Sequence, residues 1–273
     1  MVDHESGAEM ARLLDQDHIF TKAMGGLFPE RSDDFSEIRS ILDVGCGPGG
    51  WAHEVAFAHQ ATTVVGIDIS QAMIEYASTQ ARIQGLDNLS FRIMDITRPL
   101  DFPDNTFDLV NARLLGFLSV DAWPRVVQEY VRITRPGGII RLTETEMSVS
   151  NSPALEKELE WFFRSLWKFG QSFSPNGNRL NITAMLSSFL RQAGCRNVQV
   201  KAHAVDWSKG SEGYYPLLQD CKVGFKLTEP FFLQAGVAEK EEMEQVYEQM
   251  QVEMLQDTFC AVHYLLTAWG EKA

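Results

Sequence analysis

Residues Ile41 to Gly50 read I-L-D-V-G-C-G-P-G-G, an apolar run that ends in an acid and passes directly into glycines at 45, 47, 49 and 50. That pattern is a buried strand turning sharply into a helix, because only glycine admits the backbone conformations such a turn needs. It also brings main-chain amides close to a ligand, and a helix starting near Gly50 presents unpaired N–H groups at the positive end of its dipole. Gly45, Gly47 and Gly50 satisfy G-x-G-x-x-G, so a nicotinamide or flavin fold is a rival reading. Asp43 counts against it. A carboxylate beside the loop repels a pyrophosphate and suits a ligand that carries an ammonium group.

The surroundings of this stretch alternate short apolar runs with segments of helical period from Ser40 to Gly138, the signature of βαβ units on a parallel sheet. Strands are expected near 41–45, 63–67, 89–94, 107–112 and 138–145. Ser70 is an N-cap for a helix whose Met73, Tyr76, Ala77 and Ala81 share one face. Arg135-Pro136-Gly137-Gly138 ends the next helix, since proline cannot continue it. Beyond Ser152, Leu155, Leu159, Phe162, Phe163 and Leu166 fall at helical spacing while Trp161, Trp167 and Phe169 add bulk off that stripe, so this helix needs cover on two sides. A turn at Pro175–Asn178, a helix over 181–193, a strand from Asn197 to Trp207 and a helical insert over about 211–235 follow. Met243, Val246, Tyr247, Met250 and Met254 define an amphipathic helix, expected on the sheet edge or against a partner subunit, which leaves a homodimer open. The final strand is Thr258 to Trp269.

Length and charge bound the function. A chain of 273 residues can bury roughly three quarters of its unfolded surface, enough for one large domain with a cap. Its net charge of −13 and lack of a basic stripe disfavour nucleic acid. The start lacks a signal-peptide pattern and no apolar run is long enough to span a bilayer, so the expectation is a cytoplasmic protein without membrane attachment. Cys46, Cys195, Cys221 and Cys260 form no C-x-x-C pair and no histidine lies in a ligand spacing; free thiols and no metal site are expected.

Asp68 closes Val64-Val65-Gly66-Ile67-Asp68, where an acid can accept hydrogen bonds from both hydroxyls of a ribose. Asp95 and Ile96 close the third strand run. With Asp43, Gly45, Gly47, Gly49, Asp68, Asp95 and Arg135 to Gly138 in this order, the sequence resembles the class I S-adenosylmethionine-dependent methyltransferases, densely over 40–145 and loosely elsewhere, and is similar to the ubiquinone and menaquinone types. The resemblance implies an α/β Rossmann-like sheet of seven strands, the last antiparallel between the fifth and sixth, with helical cap insertions and S-adenosyl-L-methionine as cofactor. It implies a helical lid over 1–35, a cofactor core over 36–150, a cap insert over 151–180, and the rest of the core over 181–273 with a helical insert at about 208–256. By position, the amides around Gly45, Cys46 and Gly47 approach the methionyl part, Asp68 takes the ribose, Ile69 and Met73 line the sugar and adenine, and Asp95 with Ile96 meets the adenine edge. Asn111 and Ala112 lie near the methionyl chain. For Met73, core packing is the alternative.

The expected reaction passes a methyl group to a small organic acceptor, with oxygen or nitrogen preferred to carbon as nucleophile. The segment Asn111-Ala112-Arg113-Leu114 lacks the Asn/Asp-Pro-Pro-aromatic signature of methyltransferases acting on amino groups of nucleic acid and protein. Gln16-Asp17-His18 interrupts an apolar face begun by Met10, Leu13 and Leu14, making Gln16 and His18 candidates to touch the methionyl end or the acceptor. Trp161, Trp167 and Tyr214 are candidates for an aromatic acceptor lining, with core packing as the alternative. Glu144 and Glu146 are expected just past the fifth strand, as surface residues or, for Glu144, a catalytic candidate; Arg113 could pair with a carboxylate or serve a structural ion pair. Two rivals stay open: a protein of the same fold that binds the cofactor for another chemistry, and an NAD(P)-dependent oxidoreductase.

Overall fold

The computed structural model describes residues 7–273, so the first six positions of the expected lid lie outside the described residues. The chain runs α1 (Gly7–Met24), a 3-10 turn (Pro29–Arg31), β1 (Ser40–Val44), α2 (Gly50–Ala58), β2 (Thr63–Asp68), α3 (Gln71–Gln84), β3 (Leu89–Ile93), β4 (Phe107–Arg113), α4 (Trp123–Ile133) and β5 (Thr134–Ser150). It continues through α5 (Pro153–Lys168), α6 (Ile182–Gln192), β6 (Arg196–Asp206), α7 (Tyr214–Ala235), α8 (Lys240–Met254) and β7 (Ala261–Glu271). The seven strands form one sheet in the order β3-β2-β1-β4-β5-β7-β6. β7 runs antiparallel to both of its neighbours, as the resemblance implied.

Why the central strands read as unbroken apolar runs is visible in where alternate residues go. Leu42, Val44, Val65, Ile67, Val110, Ala112, Ile140 and Leu142 enter the core on one face, while Ile41, Val64, Leu109 and Ile139 enter a second core on the other. A parallel sheet covered on both faces has no solvated side to mark with polar residues. The local stops also behave as their chemistry requires. The Ser70 hydroxyl accepts from Met73 N at 3.3 Å, and Gly85 ends α3 in the left-handed region at φ 67°. The buried face of α3 is Met73, Ile74, Ala77 and Ala81; Tyr76 is half-buried beside it.

β5, β7 and α8 differ from expectation: β7 starts at Ala261 rather than Thr258, and β5 already begins at Thr134, so α4 ends at Ile133 and Arg135–Gly138 lies within the strand. β5 extends past Thr145 to Ser150, because β7 pairs with it as far as Ser150↔Ala261, across an irregularity at Thr145/Met147. The Met-bearing helix α8 does not sit on the sheet edge: Met243, Met250 and Met254 are buried and α8 packs on α5 and α7. Helices α7 and α8 supply the second cover that α5 needed, with Trp161 beside Phe232 at 6.1 Å between ring centroids. Among the described residues no helix is long and apolar enough to cross a membrane.

Candidate functional site

The carboxyl ends of β1, β2 and β4 open into a cavity of about 880 Å³, floored by the glycine loop and roofed by α1 and the segment after β4. The floor is built locally. Gly45 has φ 65°, and a Cβ there would lie 2.5 Å from Leu115 Cδ2, so the loop passes under Leu115 only without a side chain. Asp68 ties this loop to the next helix, its Oδ2 accepting from Gly47 N at 3.0 Å and its Oδ1 from Ser70 N at 2.9 Å. Each carboxylate oxygen keeps a further lone pair for a hydroxyl donor. Asp95 is held below the usual carboxylate range by the Thr97 hydroxyl and amide, which donate to it at 2.6 and 2.9 Å.

Asp43 lies at the back of this floor. Asn111 Nδ2 donates to its Oδ1 at 2.8 Å, and burial pushes its carboxyl up to about 7 against the opposing pull of Asn111 and Arg141. The roof, by contrast, is held by contacts far apart in the chain. Arg113 pairs with Asp17 Oδ1 and donates to Thr21 Oγ1 at 3.0 Å, and its guanidinium lies 5.7 Å from the Trp51 ring. The other Asp17 oxygen is buried without a partner. Arg12 meets Glu9 at 2.6 Å and Asp220 of α7 at 2.7 Å, and Gln16 donates to the same Asp220 at 3.2 Å.

Of the residues singled out from sequence, Asp43, Gly45, Cys46, Gly47, Asp68, Ile69, Met73, Asp95, Ile96, Gln16 and Arg113 line this one cavity. Gly49 does not. It precedes α2 at φ 84°, where a Cβ would meet the Phe91 ring at 2.8 Å, so it serves close packing of helix on strand. Asn111 and Ala112 are buried behind the lining, Asn111 as the partner of Asp43.

Several expectations need correction. His18 faces solvent on the outer side of α1, 3.3 Å from Glu54 on α2, because the helix turns it away from the cavity that Asp17 faces. Glu144 is inside β5 rather than beyond it and is buried; it accepts from Leu115 N, and burial pushes its carboxyl up to about 8. Glu146 is also within β5, where it accepts from Asn181 N and Thr183 N at 2.9 and 3.1 Å and so caps α6. Trp161, Trp167 and Tyr214 stand outside the cavity. Trp161 is core between α5 and α7, Trp167 packs against Gly177, and the Tyr214 hydroxyl donates to Met254 O at 3.0 Å, since the aromatic residues of the cap are used to join its helices to one another.

Sequence reasoning missed Glu9, Arg12, Asp17, Leu115, Phe117 and Leu118, all of which line the cavity. Only Asp17 left a local signal, as a polar break in the apolar face of α1. The partners that bring Arg12 and Gln16 to this place lie about two hundred residues away, where no spacing rule reaches.

Residues 41–138 match the family model described as a methyltransferase domain. Over 104 residues the chain is 39% identical to a nocamycin O-methyltransferase of Saccharothrix syringae, covering 38% of this chain and 36% of that protein. Over 180 residues it is 27% identical to a demethylmenaquinone methyltransferase of Halalkalibacterium halodurans, covering 62% of this chain and 72% of that protein. The chain thus spans well under half the length of several curated relatives, including 28% of a Yarrowia lipolytica sterol 24-C-methyltransferase. Solved structures with the same fold include the YcgJ protein of Bacillus subtilis, at TM-score 0.56 and 15% identity over 92% of this chain and 99% of that one. Another is a Haemonchus contortus phosphoethanolamine N-methyltransferase solved with S-adenosylhomocysteine, at TM-score 0.54 and 14% identity over 94% of this chain and 57% of that one. With the acid-and-glycine loop, the ordered acids at the strand ends and the antiparallel seventh strand, residues 41–138 are a methyltransferase domain set in the sheet that the resemblance to the class I S-adenosylmethionine-dependent methyltransferases implied.

Proposed function

We propose that this protein transfers a methyl group from S-adenosyl-L-methionine to a small organic acceptor, at oxygen or nitrogen. The observation that carries this reading is that one continuous cavity joins two unlike ends: one is an acid-lined glycine loop, and the other is closed by apolar Leu114, Leu115, Phe117 and Leu118 under α1. The floor fits the cofactor. Asp43 and the unpartnered Asp17 oxygen suit a ligand with a cationic amino-acid end and oppose a pyrophosphate. Asp68 then takes the ribose hydroxyls, Ile69 and Met73 line the sugar and adenine, Asp95 and Ile96 meet the adenine edge, and amides around Gly45 and Gly47 face the methionyl part. Bound there, the cofactor supplies an electrophilic methyl on a sulfonium.

What the chain's own residues contribute is placement and exclusion of water. Arg12 is engaged by Glu9 and Asp220, and Arg113 by Asp17, so the charged groups of the roof hold α1 down over the cavity. Methyl transfer in line between two held reactants can draw most of its acceleration from such positioning. The acceptor that suits this roof brings its own nucleophile, a phenolate or carboxylate oxygen or a neutral amine. Helix α1 acts as the lid and α5, α7 and α8 form the cap behind it.

Calorimetry with S-adenosylhomocysteine and with NAD separates this reading from an oxidoreductase; tight binding of NAD alone overturns it. Incubation with methyl-labelled cofactor and a panel of phenols, amines and carboxylic acids then tests transfer. A panel left wholly unlabelled by a protein that binds the cofactor points to a different chemistry on the same fold.

A further inference from the structure

Beneath the glycine loop, four polar side chains form a buried chain across three strands. The register sets Asp43 of β1 beside Asn111 of β4, and Asn111 beside Arg141 of β5. Asn111 donates through Nδ2 to Asp43 Oδ1 at 2.8 Å and accepts through Oδ1 from Arg141 Nη1 at 2.9 Å. Arg141 then meets Glu30, in the 3-10 turn after α1, at 3.2 and 3.3 Å, and both of these side chains are 0% exposed. Phe28 covers the guanidinium, 5.8 Å from its ring centroid.

An ion pair this deep is a poor way to stabilise a fold, since apolar residues of similar volume commonly do as well or better. Its arrangement has direction, however. An asparagine between a guanidinium and a carboxylate has only one amide orientation that satisfies both, with its oxygen to the arginine and its nitrogen to the acid. In that orientation Asn111 passes the positive end of its dipole to Asp43. The Arg141 charge, partly offset by Glu30, lies directly behind.

We infer that Arg141, acting through Asn111 and balanced by Glu30, is a positioning residue that keeps Asp43 an ionised carboxylate available to the cofactor's ammonium group. The inference rests on the cofactor reading proposed above. Asp43 is surrounded by Asn111 of β4, Arg141 of β5, Asp68 of β2 and the Cys46 thiol of the loop, and Arg113 and Asp17 line the same cavity. Burial and Asp68 favour its neutral form, Asn111 and Arg141 its charged form. Below neutral pH the carboxyl takes up a proton and loses its attraction for an ammonium, so affinity rises with pH as Asp43 ionises.

The test is the affinity for S-adenosylhomocysteine, measured by calorimetry between about pH 5.5 and 8.5, below most of the titration of a free amino group. Asn111→Leu severs the link and is expected to move the midpoint upward by about one pH unit, a loss of roughly fivefold at about pH 7 that approaches roughly tenfold well below it. Glu30→Gln removes the charge that offsets Arg141 and is expected to move the midpoint downward. Asp43→Asn flattens the profile. Methylthioadenosine, which lacks the amino acid, should bind with a flat profile throughout.

A merely structural role lowers affinity by one factor at every pH and cannot give two shifts of opposite sign; unmoved midpoints in Asn111→Leu and Glu30→Gln overturn the inference. A flat profile for S-adenosylhomocysteine in the unaltered protein overturns it too, while leaving the cofactor reading in place. Failure of both adenosyl compounds to bind removes the cofactor reading and this inference together. Where a variant does not fold in a thermal melt, Arg141→Lys replaces it. That change keeps the charge but loses the fork that reaches Asn111 and Glu30 at once, so an upward midpoint supports the inference and an unmoved one overturns it.

Discussion

The floor and the roof of the cavity enclose the same space by different means. On the floor, the loop from Gly45 to Gly50 is closed by contacts of short sequence reach, such as Gly49 N to Cys46 O at 2.9 Å and Gly47 N to Asp68 Oδ2 at 3.0 Å. In the roof, α1 is fastened by Arg12 to Asp220 and by Asp17 to Arg113, pairs that exist only once the whole chain has folded. A strand–loop–helix unit can shape a ligand site wherever it occurs. The roof can be re-specified by changing one distant partner, which suits the half of a site that must fit a particular acceptor.

Four measurements break or sharpen this contrast. Arg12→Ala should cost about 3 kcal/mol of unfolding free energy, because Asp220 loses its buried counter-charge. Asp220, whose carboxyl burial already raises, then gains by taking up a proton, so the deficit in denaturant melts shrinks as the pH is lowered from about 8 to about 5. An equal deficit at both pH values would show that α1 is held by packing instead. Asp68→Ala should weaken S-adenosylhomocysteine by roughly 10- to 150-fold, about 1.5–3 kcal/mol, through the loss of two hydrogen bonds to the ligand. Unchanged affinity in a folded variant contradicts the role given to the floor.

Glu144 offers a test at the junction of the two regions, since it anchors Leu115 of the roof from within β5. Its folded carboxyl is raised to about 8 by burial, so the folded protein holds more protons than the unfolded one between about pH 4.5 and 8. Stability from this group is therefore present at low pH and declines as the pH rises through that window. Glu144→Gln should flatten the decline, visible as a smaller fall in Tm between about pH 6 and 8; an unaltered slope assigns the pH dependence elsewhere. The smallest effect belongs to the rim. Phe117 is 55% exposed at the cavity mouth, and Phe117→Ala should raise the acceptor KM by about threefold, under 1 kcal/mol, with cofactor affinity unchanged. A change in cofactor affinity instead would mean that floor and roof do not divide the ligand as drawn.

What could be read before folding follows the same division. Asp43, the glycines, Asp68 and Asp95 were legible because each sits at the end of an apolar run, where strand period, turn chemistry and charge point one way. The aromatic residues of the cap misled because Trp161, Trp167 and Tyr214 have the same composition whether they meet a ligand or each other. Glu144 and Glu146 misled because the Thr-Glu-Thr-Glu run looks like the solvated end of a strand. The pairing of β5 with β7 extends that strand and buries Glu144 within it.

By itself, then, the order of apolar runs, caps and glycine turns determined the parallel sheet, the position of its cofactor crevice and the acids that line it, since all of these follow from periodicities of a few residues. Only the tertiary structure decided which faces of α1 and α7 meet, that Asp17 turns inward while His18 turns out, and that Arg141 lies buried behind Asn111 and Asp43. Those outcomes are fixed by packing and charge pairing between segments far apart in the chain, and nothing in the local sequence around either partner names the other.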